Sequence, residues 1–493
     1  MADNDGLPQQ VRLLTLNCWG LLYISTLRKQ RLQEIGRRLA QMEPRPDVVC
    51  LQECWVDSDF EAIRQATQPR LPHGKLFRAG VWGAGLAILS RWPLEETEMH
   101  QYRLNGRPTA FWRGDWYVGK GVAWATLRLG PRASQVMHVL NTHTHAPYEK
   151  DAQDSYACHR AAQLWHMAQL LRRATAQPSF LVVALGDFNM LPLSLPHRIL
   201  THRAPVCDAW RVWQPESSLG PVAYAPEAAR HRPVPSAAFN LAVNGATSDG
   251  LYNTWRWTKN RQNKLRRGLP CPVDPEALDR RGKRLDYIFF CPRSVSPDHA
   301  WAVDTAQVAL TERHADLHVS LSDHFAVAAT LKLHPRAATS PRALHVQLAQ
   351  SLASTAHGLA RSDLDQLMAL IRDYTARELG QRRLRALHFY ASLVVWAVCL
   401  VAVWFSPRNF VAFVLCLVAS LVLASGLVDG LLALLFFSSE LRCLAEFEHE
   451  VRCARSAAAA PDAAGSRAPG APDQSEPEEQ QPNGNDLSDK DKH

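Results

Sequence analysis

FLVVALGDFN (Phe180–Asn189) is an apolar run that ends in a carboxylate and an amide. Its continuous apolar residues, followed by Gly186, predict a strand buried on both faces. Asp187 and Asn189 are two positions apart, so in an extended chain both side chains lie on one face. Such a pair can hold a water and a phosphate oxygen. A cap on a turn is the competing interpretation.

Similar runs elsewhere in the chain predict a layered α/β or α+β domain over residues 11–335. The further predicted strands are Val11–Asn17, Asp47–Glu53, Gly85–Ser90, Val136–His145, Arg284–Phe290 and His324–Leu333. Amphipathic helices are predicted at Arg28–Met42 and His159–Arg173. Residues from about 215 to 279 are irregular in pattern and rich in Pro, Ala, Arg and Trp. They predict an insertion of loops with a strand near Asn253–Trp257.

Polar side chains stand at the ends of several predicted strands, where catalytic groups commonly meet. LQE ends in Glu53, a carboxylate that is costly to bury without partners and that a structural salt bridge would also explain. NTHTH carries His143 and His145 on one face. The remaining candidates are Asp286 in RLDY and the pair Asp323 and His324 in SDH.

Two apolar stretches near the C-terminus, Leu387–Phe405 and Phe410–Phe437, are long enough to cross a bilayer. Four residues separate them, so they predict a tight hairpin whose ends lie on one side. The alternative is a buried helical pair of a soluble domain. A charged helix, Ser362–Arg385, precedes the hairpin and ends in basic residues, which favours the cytosol for that side. Asp429 is unusual at membrane depth unless it lies near an end of its span.

Charge and composition leave the type of partner open. The net charge is +8, and the acidic last stretch, residues 461–493, carries −5, which leaves about +13 on the remainder. A basic body suits nucleic acid or an acidic membrane. Eleven cysteines without a CxxC pair, and an N-terminus without an apolar core, predict reduced thiols in the cytosol.

The parts outside the domain and the hairpin are assigned by composition alone. We expect a flexible N-terminus over residues 1–10 and a linker with a basic juxtamembrane helix over 336–385. A short helix is predicted over 438–455, and a disordered acidic tail over 456–493.

The order of these motifs, from Asn17 and Glu53 through His143, GDFN and RLDY to SDH, resembles the endonuclease/exonuclease/phosphatase superfamily over residues 11–333. The resemblance implies a DNase I-like, four-layered α/β sandwich of two packed sheets with helices outside. LNCWG, GAGLAILS, NGRP, GDWYVGK and THTHAPY narrow it to the neutral sphingomyelinases, and most closely to the fungal inositol phosphosphingolipid phospholipase C enzymes. The two predicted membrane spans near the C-terminus also agree with the neutral sphingomyelinase branch.

For the metal, the resemblance implies Mg²⁺ with Glu53 as principal ligand, Asn17 nearby and Asp323 helping. Oxygen ligands suit this ion, and no Cys/His cluster suggests zinc. For the chemistry, it implies that His324 is the general base and His143 the acid for the ceramide alkoxide. The supporting residues are Asp286, which orients His324, Asp187 and Asn189, which align water and phosphate, and His145, either a neighbour of these groups or a surface histidine. Asp187 remains a rival base.

GDWYVGK lacks the spacing of a nucleotide-binding loop. In relatives its Asp and Lys look like a switch that responds to anionic phospholipid, so Asp115 and Lys120 become regulatory candidates, with an ordinary surface loop as the alternative. Trp255–Arg267 interleaves tryptophans with bases and is predicted to rest at a lipid interface rather than to form a solvated loop.

The function implied is a membrane-bound, Mg²⁺-dependent hydrolase that cleaves inositol phosphosphingolipids, sphingomyelin or both to ceramide. The alternatives are a lysophospholipid phospholipase C, an endonuclease on the same fold and a silent membrane scaffold. We expect anionic phospholipids as activators and no nucleic acid partner. The catalytic domain is expected to face the cytosol from the endoplasmic reticulum or the mitochondrial outer membrane.

Overall fold

A computed structural model describes residues 7–149, 154–294, 298–335 and 358–464. Two six-stranded mixed sheets, in the orders β11-β12-β1-β2-β4-β3 and β5-β6-β7-β8-β10-β9, pack face to face. The strands are β1 Gln10–Asn17, β2 Val48–Gln52, β3 His73–Phe77, β4 Leu86–Ser90, β5 Leu94–Gln101, β6 Gly121–Arg128, β7 Val136–His143, β8 Leu181–Asp187, β9 Cys207–Asp208, β10 Asp286–Phe290, β11 His299–Ala309 and β12 Ala326–Pro335. The predicted four-layered sandwich is confirmed.

The helices of the domain cover the outer faces of the sheets or lie in the insertion. They are α1 Arg28–Gln41, α2 Asp57–Thr67, α3 Asp115–Val118, α4 Ala157–Ala176, α5 Leu195–Arg203, α6 Ala209–Trp213, α7 Ala225–Ala228, α8 Ala237–Ala242 and α9 Lys259–Arg266, with 3₁₀ turns at Phe111–Arg113 and Thr254–Arg256. The strand predicted near Asn253–Trp257 is therefore wrong. Asn253 instead caps the 3₁₀ turn by accepting a hydrogen bond from Trp255 N.

Both faces of β8 are buried, which accounts for its continuous run of apolar residues. Leu181, Val183 and Leu185 pack between the two sheets, whereas Val182 and Ala184 pack under α4 and α5. Because side chains alternate across a strand, a strand covered on both faces is apolar along its covered length, here Leu181–Leu185.

The seven strands predicted from apolar runs are all present, but five further strands of the described residues were not predicted. Two of these, β3 and β5, form sheet edges and are largely polar and partly exposed, so they lack the apolar pattern that identifies a buried strand. The other three are β6, β9 and β11.

The C-terminal part is a hairpin of two long helices. The first hairpin helix is Arg361–Trp404, and the second is Asn409–Leu431, continued by a π-helical turn, Leu432–Phe436, and by the terminal helix Phe437–Ala464. Both are long and apolar enough to cross a membrane. The helix predicted to end at residue 455 extends nine residues further. The first six residues, most of the linker and the tail from 465 lie outside the described residues.

Small residues allow the two hairpin helices to approach closely. A Cβ on Gly426 would lie 2.3 Å from Ser392 Cβ, and one on Gly430 would lie 2.7 Å from the Phe389 ring. Asp429, on the same face, pairs with Arg385 and with His388 Nδ1 at 2.8 Å. An acid near the end of its span thus meets one basic residue just before the other span and a histidine at its start, which explains its presence there.

The hairpin is attached to the catalytic domain through the polar ends of its helices. Glu450 accepts hydrogen bonds from Trp165 Nε1 at 2.8 Å and Gln169 Nε2 at 2.7 Å on α4. Asp363 pairs with Arg198 on α5 at 2.7 Å. Apolar residues of both helices join the core beneath α4, so the domain and the hairpin helices form one packed body.

Gly426→Ala should destabilise the hairpin, because the added methyl group overlaps the backbone-proximal Cβ of Ser392. Overpacking of this kind costs about 1–3 kcal/mol. The measurement is denaturant unfolding of the full chain in detergent, followed by helical circular dichroism. Gly380→Ala is the matched control: no described atom lies within 4 Å of the added methyl, so it should be neutral or slightly stabilising. Equal effects of the two substitutions would contradict close packing at Gly426.

Candidate active site

Three neighbouring strands of the second sheet place three polar side chains side by side. In the register of β7, β8 and β10, His143 lies opposite Asp187, and Asp187 lies opposite Asp286. His143 Nε2 is 3.5 Å from Asp187 Oδ2. Because β10 runs antiparallel to β8, the start of β10 meets the ends of the other two strands. Three motifs distant in sequence thus form one row.

His324 joins this row from the first sheet, just before β12. Its Nδ1 lies 2.8 Å from Asp286 Oδ2 and 3.9 Å from Asp187 Oδ2. Burial alone would lower the pKa of His324, but Asp286 and Asp187 outweigh it and raise the pKa to about 10. Ser322 holds the segment in place: its Oγ donates to Asn17 O at 2.6 Å and accepts from His324 N at 3.2 Å.

Asn17 links the carboxylates of the two sheets. It ends β1 of the first sheet, and its Nδ2 donates to Glu53 Oε1 at 3.1 Å and to Asp187 Oδ2 at 3.0 Å. Its Oδ1 accepts from Trp19 N at 3.0 Å. One buried amide therefore fixes the separation of two carboxylates that belong to different layers.

Glu53 follows β2 in a left-handed conformation, with φ 53°. A Cβ at position 20 would lie 2.2 Å from Glu53 O, so the glycine of LNCWG leaves room for this turn. Glu53 Oε2 is buried and has no hydrogen-bond partner among the described residues. Burial first, and then the neighbouring Asp323, raise the pKa of Glu53 to about 7.

The residues at Glu53 fit a bound divalent cation. A buried carboxylate oxygen without a partner is costly, and a second carboxylate nearby adds repulsion that a cation would remove. A second arrangement also deserves comparison: Asp187, Asp286 and His324 lie within 4.8 Å of one another and could hold an ion. In that group, however, His324 Nδ1 is already paired with Asp286, whereas Glu53 Oε2 is unpaired.

Asp187 acts both as a turn cap and as a site residue. Its Oδ1 accepts from Asn189 N at 2.9 Å, while its Oδ2 faces Asn17 and His143. Asn189, at φ 44°, donates from Nδ2 to Thr144 O at 3.1 Å. The turn-cap interpretation of GDFN is therefore correct for Oδ1, whereas Oδ2 faces the neighbouring polar groups of the row. Burial raises the pKa of Asp187 to about 6.

Asp115 and Lys120 are buried side by side, and the surface-loop alternative for them is wrong. Lys120 Nζ is 3.8 Å from Asp115 Oδ1, and both side chains are 5% exposed. Asp115 also lies 3.3 Å from His145 Nδ1 and accepts from Tyr148 OH at 2.8 Å. Lys120 Nζ donates to Thr144 O at 3.2 Å, the carbonyl that also accepts from Asn189. Thr144 O therefore connects the pair to the GDFN turn, because it accepts one hydrogen bond from Lys120 and one from Asn189.

His145 is fully buried, so a surface role is wrong for it as well. Thr144 and Ser322 are contacts that sequence reasoning missed, since a neutral hydroxyl or a backbone carbonyl carries no motif of its own. In Trp255–Arg267, which is predicted to rest at a lipid interface, Trp257 is buried and Trp255 is partly buried. Trp257 lies under Arg261 at 3.8 Å and is 8% exposed, and the Trp255 ring contacts the Trp19 ring at a tilt of 59°. Three bases of α9, Lys259, Lys264 and Arg266, are exposed.

Comparison with known proteins agrees with this geometry. Residues 14–324 match the model of the Endonuclease/Exonuclease/phosphatase family, and the chain belongs to that family. Among curated relatives, the inositol phosphosphingolipids phospholipase C of Schizosaccharomyces pombe is 35% identical over 90% of this chain and 94% of its own length. That of Saccharomyces cerevisiae is 33% identical over 92% and 91%. Human sphingomyelin phosphodiesterase 2 is 36% identical over 41% and 46%.

The stability of the domain should depend on pH through His145. Burial lowers the pKa of this imidazole to about 4, so the folded state excludes a proton that the unfolded chain takes up below about 6.5. This contribution is fully present above pH 6.5 and is lost as the pH falls toward 4. Relative to His145→Gln, the wild type should lose about 2 kcal/mol between pH 7 and pH 5.

Denaturant unfolding of both proteins at several pH values measures this difference. His449→Gln, at an exposed position on the terminal helix, is the control and should leave the wild-type pH profile unchanged. A constant difference between wild type and His145→Gln across this range would show that His145 is not held neutral.

Proposed function

We propose that this chain is a membrane-anchored sphingolipid phospholipase C that releases ceramide and a phosphorylated head group. The observation that carries the proposal is its similarity, over more than nine tenths of the chain, to two inositol phosphosphingolipids phospholipase C enzymes. The assembled site supports it, because Asn17, Glu53, His143, Asp187, Asp286 and His324 lie together where the two sheets meet. An endonuclease is disfavoured by the hairpin, which would hold the enzyme at a bilayer.

We propose an inositol phosphate as the preferred head group. The relatives with that activity align over almost their whole length, including the hairpin region, whereas the sphingomyelin phosphodiesterase aligns over less than half of its own. Sphingomyelin is the second candidate substrate, because the shorter match to the sphingomyelin phosphodiesterase has about the same sequence identity, 36% against 35% and 33%. Lysophospholipid is the third candidate, and a hydrolysis assay that compares the three substrates separates them.

We propose Mg²⁺ as the cofactor, with Glu53 as principal ligand through Oε2, Asp323 beside it and Asn17 next to the site. Mg²⁺ prefers oxygen ligands and keeps several waters, which suits a site with few protein oxygens. When bound, the ion neutralises charge on the phosphoryl oxygens.

The side chains that move protons are His324 and His143. We assign His324 to remove the proton of the attacking water, with Asp286 at 2.8 Å holding its ring. This role requires a neutral imidazole, and a divalent cation held at Glu53 would lower the raised pKa of His324 by charge repulsion. His143, whose pKa burial lowers well below its usual range, needs an anion to hold a proton. The phosphate of the substrate supplies that anion, and His143 then protonates the departing ceramide oxygen. Asp187 and Asn189 orient the water and phosphate, and Asp187 is the rival base.

We propose that the hairpin places the catalytic domain on the cytosolic side of the endoplasmic reticulum or mitochondrial outer membrane. Arg382, Arg383 and Arg385 precede the first span, and basic residues are enriched on the cytosolic side. Asp115 and Lys120 would connect anionic phospholipid to the site through Thr144 O.

Glu53→Gln should abolish hydrolysis of inositol phosphosphingolipid, and excess EDTA should do the same to the wild type. The neutral amide cannot balance the charge of a divalent cation, although it retains the hydrogen bond to Asn17. Release of phosphorylated head group from detergent micelles, with and without added Mg²⁺, is the measurement. Glu96→Gln, on the exposed edge strand β5, is the control. Full turnover in EDTA would disprove the metal-dependent mechanism.

Lys120→Ala should lose stimulation by phosphatidylserine, because the ammonium that contacts Asp115 and Thr144 is removed. A titration of hydrolysis against phosphatidylserine in mixed micelles measures this, with Lys75→Ala on the exposed strand β3 as the control. Undiminished stimulation of Lys120→Ala would exclude the pair as a switch.

A further inference from the structure

Three loops of the catalytic domain expose large apolar side chains to solvent. Tyr23 is 95% exposed and Trp112 93% exposed, values that a soluble surface rarely gives to aromatic side chains. Together with their neighbours they form a set that we call the rim: Tyr23, Ile24, Val81, Trp82, Phe111 and Trp112. None of these residues takes part in the chemistry assigned above.

The first loop of the rim starts beside the proposed metal ligand. Gly20 packs against the backbone carbonyl of Glu53, and Tyr23 and Ile24 follow within four residues. On the other side of that loop, the rings of Trp19 and Trp255 are in tilted contact, with centroids 4.8 Å apart, close to the start of the basic helix α9. An apolar loop tip and a set of exposed bases thus lie next to each other near Glu53.

The second and third loops form one unit. Val81 N and Trp82 N both donate to Tyr117 O, at 2.8 and 3.0 Å, and the Trp82 ring stacks on Tyr117 at 5.0 Å. Phe111 meets the Trp82 ring edge-on at 6.2 Å. These contacts fix the rings of Trp82 and Phe111 against the domain. The neighbouring side chains of Val81 and Trp112 project into solvent.

This unit is continuous with the membrane end of the hairpin. Trp116 meets the ring of Phe436 at 6.2 Å, and both line one cavity with Pro108, Leu431 and Leu435. Leu431 and Leu435 are 61% and 64% exposed, as expected of side chains that face lipid. The boundary of the bilayer therefore runs within a few residues of Phe111 and Trp112.

We propose that the rim is a membrane-contacting surface that inserts into the interfacial layer of the bilayer in which the hairpin is anchored. Aromatic and aliphatic side chains partition into that layer, and the exposed bases of α9 complement anionic head groups. The rim brings the mouth of the site to the depth of the lipid phosphates, so a substrate phosphate reaches Glu53 while its ceramide stays in the membrane. This last step rests on the proposed function. The insertion itself does not.

The test uses the full chain in proteoliposomes and compares two substrates. Tyr23→Ser combined with Ile24→Ser should lower hydrolysis of a long-chain inositol phosphosphingolipid in the bilayer by roughly tenfold or more, since apolar contact with the interface is lost. Hydrolysis of a short-chain, water-soluble analogue by the same vesicles should change less than twofold. Phe239→Ser, at a 49% exposed position on α8, is the control and should affect neither.

A second measurement does not depend on activity. Tryptophan fluorescence is recorded in vesicles containing lipids brominated at defined depths, for the wild type and for Trp112→Phe. The difference between them should show that Trp112 is quenched most strongly by bromines near the head groups. Absence of quenching of Trp112 would overturn the proposal and would leave a protein partner as the occupant of the rim.

The outcomes separate the rim from the proposed function. An equal loss on both substrates, or no loss on either, would overturn the rim as a membrane surface. A wild type that hydrolyses neither substrate would refute the proposed function, while the quenching of Trp112 would still decide whether the rim enters the bilayer.

Discussion

The site depends on one buried amide between two carboxylates of different sheets. Asn17 donates to Glu53 on one side and to Asp187 on the other, and this fixes the distance between the proposed metal ligand and the row of His143, Asp187 and Asp286. Only a neutral double donor can serve both acids without adding a charge. The packing of the two sheets thereby becomes part of the geometry of the site, because a shift of either sheet would separate the groups.

Much of this arrangement could be predicted from the sequence. The apolar run before GDFN indicates a strand buried on both faces, and the order of motifs indicates the family. The pairing of His324 with Asp286 agrees with the role that the resemblance implied. Contacts made by generic groups could not be predicted, such as Ser322 Oγ on Asn17 O, since serine has many possible partners and long-range register decides which one it meets.

The sequence misled where local composition and tertiary packing disagree. Trp255 and Trp257 alternate with bases, a pattern typical of an interface, yet the Trp257 ring is buried and the Trp255 ring is partly buried. Lys120 lies in a glycine-containing loop that looks exposed, yet its ammonium is buried against Asp115 and Thr144 O. In both places a long-range contact decides burial, and no local pattern reports it. The exposed aromatics of the rim could not be predicted either, because aromatic side chains in a sequence usually indicate burial.

The most direct test of the account is a crystal structure of the full chain soaked with Mn²⁺ as a substitute for Mg²⁺, read by anomalous scattering. The account predicts a peak within about 2.2 Å of Glu53 Oε2, the buried oxygen that has no described protein partner. A peak held instead by Asp187, Asp286 and His324, with none at Glu53, would contradict it, because His324 would then be a ligand and unable to accept a proton from water.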